Sequence, residues 1–575
     1  MKLPLKKYAL VLASIAAGLT AIFYMIWFQI DNEDIPNLIK PSIGLQYDYI
    51  IVGAGSAGCV VARFLSEYAP ESSVLLIEAG HTFGFISKVP LLAVYLQGSS
   101  NDWKFQSTPQ KHSSWGMHDK IQFFPRGKGL GGTSQINFLV NYVHVEDDLK
   151  RWNLKNWTYE IISPYFDTIE NTPEDEIWEV PKRHTTLSKV FDDASYHFRK
   201  TKFRRSQYNT KNGLRHSVFQ KYLRPAFEFE NLKILTNSIV TRLNFNQFNC
   251  ISSVRVRSHY HGVEFNIAVG KEVIISAGAY QSPQLLMVSG IGSGTTLSKH
   301  NIILVSNLPD VGENLHDHLN VPMYTSMESS GSINFNNILS PSEIWKYLKR
   351  GEGVLSHFGV YGHVDSPENS IGLSFFGVGA IDENSMRDIS NYKKKHFRGL
   401  FPLYHNKTQE GFVTITNCVQ PQSRGIVLIQ SKDFETPPLI DPNYLETEVD
   451  LNCSIRAVRF AAQIITSSSF RKLRPKIHWP LIPGCEEFGP FERDFETNKP
   501  SYRYLECVIR SIGVASHHPG GTCAIGKVVG EDLNVYGVHG VRVVDASIFP
   551  KPISGNPNAM IIAMAKRLVD VILNR

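Results

Sequence analysis

The chain has 575 residues, beyond the roughly 250–300 at which a single hydrophobic core stops growing, so at least two lobes are expected. Hydrophobic residues at 42% and charged residues at 19% describe an ordinary globular chain. The net charge of +6 is spread without a dense Lys/Arg block, so nothing points to nucleic acid, and a run such as Lys393–Lys395 reads as a solvated face.

At the N-terminus Lys2, Lys6 and Lys7 precede an uncharged run from Tyr8 to Ile30, and acidic residues begin at Asp31. Residues 1–30 read as a targeting segment outside the fold, either a cleaved signal peptide or a retained signal anchor. Ala16, Ala17 and Gly18 allow cleavage, whereas the length of the run approaches the ~20 residues that span a bilayer. Both readings send the rest of the chain into the secretory pathway, as an extracellular protein or one anchored facing the lumen, with membrane contact only through that segment if it is uncleaved. The cysteines, at 59, 250, 418, 453, 485, 507 and 523, lack CxxC or metal-type spacing, so no metal site is expected. One or two disulfides among the middle five are, although their pairing is open. Sequons at Asn156, Asn406 and Asn452 fit a glycoprotein.

Tyr47 to Val52 is an apolar run of strand length, followed by Gly53-Ala54-Gly55-Ser56-Ala57-Gly58, a helical stretch and a second strand, Val74 to Ile77. In this order Gly53 permits the tight turn, Gly55 lets backbone approach a pyrophosphate, and Gly58 permits close helix–strand packing. Ser56 and Ala57 open the helix, where free N–H groups face phosphates. Glu78, 20 residues past Gly58, ends the second strand, where an acid accepts hydrogen bonds from a ribose hydroxyl. Nicotinamide and flavin cofactors share this fingerprint.

Further on, EVIISAGA (Glu272–Ala279) is a strand ending in a small-residue turn. SPQLLMVSG then supplies a helix start with Ser282 as cap, Pro283 at the first helical position and Gly290 closing it. Stretches 324–337 and 351–364 lack periodicity and read as surface loops, with a lid as the alternative. Near the C-terminus Asp545 ends a β-branched strand, and SGNPN opens an apolar helix with Asn556 as N-cap and Pro557 first. SHHPGGTC sets His517 beside His518. In an extended segment their side chains point to opposite faces, so at most one meets a ligand, and packing alone also accounts for both.

RGKGLGGTSQINFLVNYV (Arg126–Val143), SAGAYQSPQLLMVSGIG (Ser276–Gly292), LPDVGENLHDH (Leu308–His318) and HHPGGTCAIG (His517–Gly526), with the fingerprint above, resemble the glucose–methanol–choline (GMC) oxidoreductases. These are FAD enzymes that oxidise alcohols and sugars. The resemblance covers most of the chain from about Tyr47 and is weakest over about 160–230 and 320–410. It implies an α/β architecture, α+β overall. A Rossmann-like FAD-binding lobe would comprise mainly 46–320, with an insertion at about 160–230, and return at 515–575. A substrate-binding lobe on an antiparallel sheet would occupy mainly 321–514. The cofactor would be FAD, held by Gly53, Gly55, Ser56, Ala57, Gly58 and Glu78, with Gly131, Gly132, Thr133 and Asn137 near the flavin ring. Val240 would hold adenine from an edge of the lobe, and Asp545 and Pro557 would lie toward the flavin, the helix N-terminus favouring negative charge on reduction. The family's small residue and methionine after the asparagine are Phe138 and Leu139 here, which narrows the pocket or changes access to the flavin face. His316 and His318 are read as structural.

The resemblance also chooses between the paired histidines. The family's active-site histidine directly precedes the short turn to Gly-Thr-Cys, which is His518, and His517 then points the other way. Its partner position, 11 residues after Asp545, holds Asn556, which is otherwise a helix cap; Asn558 is the neighbouring alternative. Neutral histidine suits accepting the hydroxyl proton, and FAD suits accepting the hydride. The expected reaction is oxidation of a CH–OH group of an alcohol or sugar. It most resembles that of insect glucose dehydrogenase-type members, with a quinone or oxygen as acceptor. Two other readings are a flavin-retaining hydroxynitrile lyase-like enzyme and a catalytically silent flavin-binding protein.

Overall fold

The computed structural model describes residues 35–142, 144–170, 186–197, 202–259, 262–366, 370–488 and 500–575. The first apolar run forms strand β1 (Gln46–Val52), and the glycine turn leads into helix α1 (Ser56–Tyr68) and strand β2 (Val74–Ile77). Every residue of β2 is buried, because the sheet is covered on both faces and its strands read as continuous apolar runs. Val60, Val61 and Leu65 of α1 are fully enclosed; side chains of this size each contribute about 1.5–3 kcal/mol on burial.

The sheet is completed from distant parts of the chain by β3 (Leu232–Leu235), β4 (Ser238–Phe245), β5 (Ile251–Ser258), β6 (Val263–Ile275) and β7 (Val541–Val543). The spatial order is β3-β2-β1-β6-β5-β4, with β7 also beside β6. β3, β2, β1, β6 and β7 are parallel neighbours, Ile51 lying opposite Leu76 on one side and Ile274 on the other. β4 and β5 return antiparallel, which places Val240 on an edge strand as expected. Helix α2 (Gly278–Val288) follows β6, and helix α3 (Pro557–Leu573), which packs on α1, closes the chain.

The start of α2 differs from the sequence expectation. It begins at Gly278, with Pro283 inside it, and Ser282 is not its cap. Ser282 Oγ donates to Asp545 Oδ2 at 2.5 Å, and the Gly278 N–H donates to the same oxygen at 2.9 Å. A carboxylate from the end of β7 thus satisfies the first turn, the task expected of Ser282. Gly290 closes the segment at φ +92°.

A second, wholly antiparallel sheet runs Lys476–His478, Leu319–Ser326, Gly411–Cys418, Ile371–Phe376, Val360–Ser366, Lys202–Arg205 in space, with Val514–Ala515 beside Leu319–Asn320. Each sheet has its own core, and Trp103 packs against both. The stretches expected as surface loops belong to this half and are largely interior: Tyr324 and Ile333 are buried in one, Val354 and Val360 in the other. Their irregular periodicity reflects short strand, turn and helical pieces.

Cys418 pairs with Cys453 and Cys485 with Cys507, both within the five central cysteines. Among the described residues no helix is long and apolar enough to cross a membrane; the targeting segment expected at 1–30 lies outside them.

Candidate active site

The glycine turn is held by contacts that leave no room for side chains. A Cβ on Gly53, which stands at φ +97°, would lie 2.6 Å from Ser276 O, and one on Gly58 would lie 1.9 Å from Gly53 O. α1 therefore seats directly on the turn, the packing assigned to the third glycine. Gly55 is different: the nearest atom to a Cβ there is 4.0 Å away, and the space beyond is a cavity whose wall includes Ser56, Ala57, Glu78 and Val240. Glu78 Oε2 accepts the Ala54 N–H at 2.8 Å and Oε1 the Gly80 N–H at 3.0 Å. The carboxylate thus braces the turn, and each oxygen keeps acceptor capacity for a ribose hydroxyl. Burial pushes its pKa up, and these N–H donors pull against it.

The same cavity extends to Gly132, Thr133, Asn137, His518, Asp545, Asn556 and Pro557. Gly131 stands behind the wall, left-handed at φ +96°, and its N–H donates to Ala54 O at 2.8 Å, joining the two glycine loops. Ser56 Oγ, at the start of α1, donates to Asn558 Oδ1, at the start of α3, at 2.5 Å. Two helix N-termini therefore meet at the cavity, an arrangement that favours anionic groups. Asp545 lines the wall, but its oxygens are committed to Gly278, Ser282 and Ser547. Ser276 Oγ is buried in the wall without a partner, and Gly278, at φ +87°, has open space where a side chain would stand. A cavity with converging helix ends, an acid and an open backbone cradle at Gly278 fits a flavin dinucleotide.

His518 and Asn556, expected as a pair, are together: Asn556 Nδ2 lies 3.1 Å from His518 Nε2. Asn556 occupies the N-cap position of α3 but makes no side-chain cap bond, so its amide is free for the histidine, whereas Asn558 turns to Ser56. The expected alternation of His517 and His518 does not hold. His517 is left-handed at φ +64°, which breaks the extended geometry, and both residues line the cavity. The His517 carbonyl accepts from Arg126 Nη1 at 3.1 Å. His318, expected to be merely structural, touches His518: their Nδ1 atoms are 3.1 Å apart. His316 is buried elsewhere, its Nε2 3.4 Å from Phe549 O. Burial holds His518 well below its ordinary pKa, with His318, His517 and Arg126 adding to the effect.

Arg215 is a site residue that sequence reasoning missed. It is 2% exposed, and its guanidinium donates to Ser87 O, Ser134 O, Asn137 Oδ1 and Asn137 O at 2.7–2.8 Å. Asn137 Oδ1 also accepts the Leu139 N–H at 3.1 Å, supporting Leu139 in a left-handed conformation at φ +65°. Phe138 stands between them, in the cavity wall, its ring edge-on to Phe358 at 4.8 Å between centroids. In a polar stretch such as NGLRHS, nothing distinguishes this arginine from a surface one.

Buried histidines give the fold a predictable acid sensitivity. Burial lowers His316, His363 and His517 to about 3 and His318 to about 4, and raises Asp148 and Asp317 to about 6. An unfolded histidine titrates near 6.5, so below that pH the unfolded chain binds protons that the native histidines refuse, and stability falls. The two aspartates work in the opposite sense between pH ~6 and ~4, where the native state binds the extra proton. Burial also raises Glu78, Glu313 and Asp545 and lowers His81, His396, His478 and His518. The lowered histidines outnumber the raised carboxyls, so unfolding takes up net protons and Tm is expected to drop steadily from pH 7 to pH 5. A Tm that stays level or rises on acidification contradicts this.

Residues 47–320 and 421–565 match the two parts of the family described as GMC oxidoreductase. The chain is 42% identical to Neither inactivation nor afterpotential protein G of Drosophila melanogaster, over 98% of this chain and 97% of that one. It is 28% identical to Drosophila melanogaster glucose dehydrogenase [FAD, quinone], over 91% of this chain and 86% of that one. Among solved structures, an Aspergillus oryzae formate oxidase studied for FAD modification superposes with a TM-score of 0.76 at 21% identity, covering 93% of this chain and 99% of that one, a likeness of fold. Motifs, fold, cavity and relatives agree: the chain belongs to the GMC oxidoreductase family and is an FAD-dependent oxidoreductase acting on CH–OH donors.

Proposed function

We propose that the chain oxidises the CH–OH group of an alcohol or sugar, with His518 as base and Asn556 as hydrogen-bond donor to the same oxygen. The observation that carries this reading is the 3.1 Å approach of Asn556 Nδ2 to His518 Nε2 in the cavity wall. A basic nitrogen and an amide donor thereby converge from separate segments on one point. A hydroxyl entering there would give its proton to Nε2 and accept from the Asn556 amide. FAD, when bound, supplies the acceptor for the hydride that leaves the carbinol carbon. Gly53, Gly55, Ser56, Ala57 and Gly58 shape its phosphate cradle, Glu78 and Val240 stand at the adenosine end, and Gly132, Thr133, Asn137 and Pro557 line the other. His518 is kept neutral by burial, so it is competent as a base at pH values where a free histidine is largely protonated. Phe138 narrows the flank beside Asn137 and selects among substrates by shape.

In this reading residues 46–320, less an insertion at about 160–230, and 515–575 form the cofactor lobe, and 321–514 the substrate side. A quinone is the preferred acceptor, by similarity to glucose dehydrogenase [FAD, quinone]. The two disulfides and the basic-then-apolar N-terminus support passage through the secretory pathway.

The test is anaerobic mixing of the FAD-loaded protein with a panel of sugars and of aliphatic, aromatic and steroid alcohols, followed by oxygen or a quinone. At least one alcohol is expected to bleach the flavin, and quinone is expected to restore its colour faster than oxygen. A flavin that stays oxidised while the protein splits a hydroxynitrile would replace this reading with the lyase. Full FAD content with no bleaching by any member would replace it with a silent binding protein.

A further inference from the structure

His318 lies on no motif with an assigned role, yet it stands 3.1 Å from His518 Nδ1, as near as Asn556 stands to Nε2. Resting on the reading of His518 as base, we propose that His318 is a positioning residue that locks His518 in the tautomer protonated at Nδ1, leaving Nε2 bare for the substrate proton.

The argument begins at a carbonyl. Two carbonyls, Val419 O and Ile553 O, hydrogen-bond the His318 ring; Val419 O lies 3.1 Å from Nε2, and a carbonyl only accepts, so that contact assigns the His318 proton to Nε2. Burial keeps His318 neutral, at about 4, so its Nδ1 carries a lone pair. That Nδ1 is 3.1 Å from His518 Nδ1, which must therefore be the donor. A neutral His518 with its proton on Nδ1 has no proton on Nε2. The far end of the chain agrees independently: the group 3.1 Å from Nε2 is the Asn556 amide nitrogen, which only donates. Ser516 Oγ, 3.2 Å from His518 Nδ1, accepts a second share of the same proton.

The backbone is arranged to keep this order. Asp317 Oδ1 accepts the N–H of His318 at 2.8 Å and the N–H of His518 at 2.7 Å, and Tyr444 OH donates to Oδ2 at 2.7 Å. One buried carboxylate therefore holds both histidines by their main chain, and their rings cross at 86° with centroids 5.3 Å apart. The titratable and charged groups around the pair are Arg126, His316, His517, Asp317, Tyr280 and Tyr444. When Nε2 takes the substrate proton, the Nδ1–H of the resulting imidazolium already faces an acceptor, and the site needs no rearrangement to carry the charge. In the opposite tautomer Nε2–H would donate to the substrate oxygen and could not take its proton. His318 excludes that state, and Val419 O, one residue beyond bridged Cys418, excludes it for His318.

The test compares wild-type FAD-loaded enzyme with His318→Gln and His318→Leu in anaerobic flavin reduction by the best alcohol of the panel, in H2O and D2O. Glutamine can accept from His518 Nδ1–H and donate to Val419 O, so it is expected to stay within about 3-fold of wild type. Leucine removes the acceptor, and the limiting rate is expected to fall by about 10²-fold or more while substrate dissociation changes by less than about 2-fold. A solvent isotope effect on reduction that is larger than in wild type should accompany the leucine change, because proton transfer becomes limiting. If the leucine variant fails to retain FAD, His318→Met is read in its place. Leucine and methionine variants that reduce their flavin at the wild-type rate overturn the positioning role. So does a glutamine variant as slow as leucine with no rise in isotope effect. His518→Ala measured alongside separates the failures: if it too is unimpaired, the base itself was misassigned.

Discussion

His518→Ala is expected to slow anaerobic flavin reduction by an alcohol about 10²–10⁴-fold while FAD stays bound. The ring accepts the hydroxyl proton through Nε2, and the group that meets Nε2 there, the Asn556 amide, can only donate and cannot replace it. FAD should be retained because the glycine turn and the start of α1 are braced by Glu78, Gly131 and Asn558 and take no hydrogen bond from the imidazole. The measurement is the stopped-flow bleaching rate at saturating alcohol together with the FAD-to-protein ratio. Bleaching at the wild-type rate would remove His518 from the chemistry.

The second large effect concerns stability and cofactor retention. Arg215→Met should lower stability by about 3 kcal/mol or more and cut the FAD content of the purified protein. The guanidinium serves four acceptors, none of them a carboxylate, and burial lowers its pKa to about 9, still charged at neutral pH. Methionine fills much of the volume but takes the guanidinium donors from the Ser87, Ser134 and Asn137 carbonyls, at about 1–3 kcal/mol for each that stays buried and unpaired, and leaves Asn137 Oδ1 only the Leu139 N–H. Part of that loss is offset by removing a desolvated cation. Asn137 would then release Leu139 from its left-handed turn, and the wall containing Phe138 would shift. Unfolding curves and the flavin absorbance ratio check both parts; a methionine variant with unchanged Tm and full FAD would show that the arginine is dispensable.

The first βαβ unit was legible in the sequence because its signals are local. An apolar run, three glycines at fixed spacing and an acid at a strand end each act on neighbours within one turn or strand, and β1, α1 and β2 follow them almost residue for residue. Asn556 and His518 were legible through resemblance, and the amide does leave its cap for the ring. What stayed hidden depends on partners brought together by topology. Ser282 looked like a helix cap until a carboxylate 263 residues away took that task. His318 looked structural because its contact with His518 spans 200 residues and carries no periodicity. His517 was assigned to the opposite face on the assumption of an extended chain, and a left-handed non-glycine residue is a conformation no apolar pattern announces.

The parallel pairing of β6 with β7 bears on how the chain survives its own synthesis. Val273–Ile275 take Val541–Val543 as neighbours, so the outer N–H and C=O groups of β6 are unpaired until nearly half the chain has emerged after it. Contacts so remote in sequence close slowly, and an uncovered apolar strand edge invites pairing with another nascent copy. A product terminated before Val541 keeps that edge permanently and also lacks α3, which covers α1. Such fragments should aggregate on expression, whereas the full chain sheathes the strand with its last pieces.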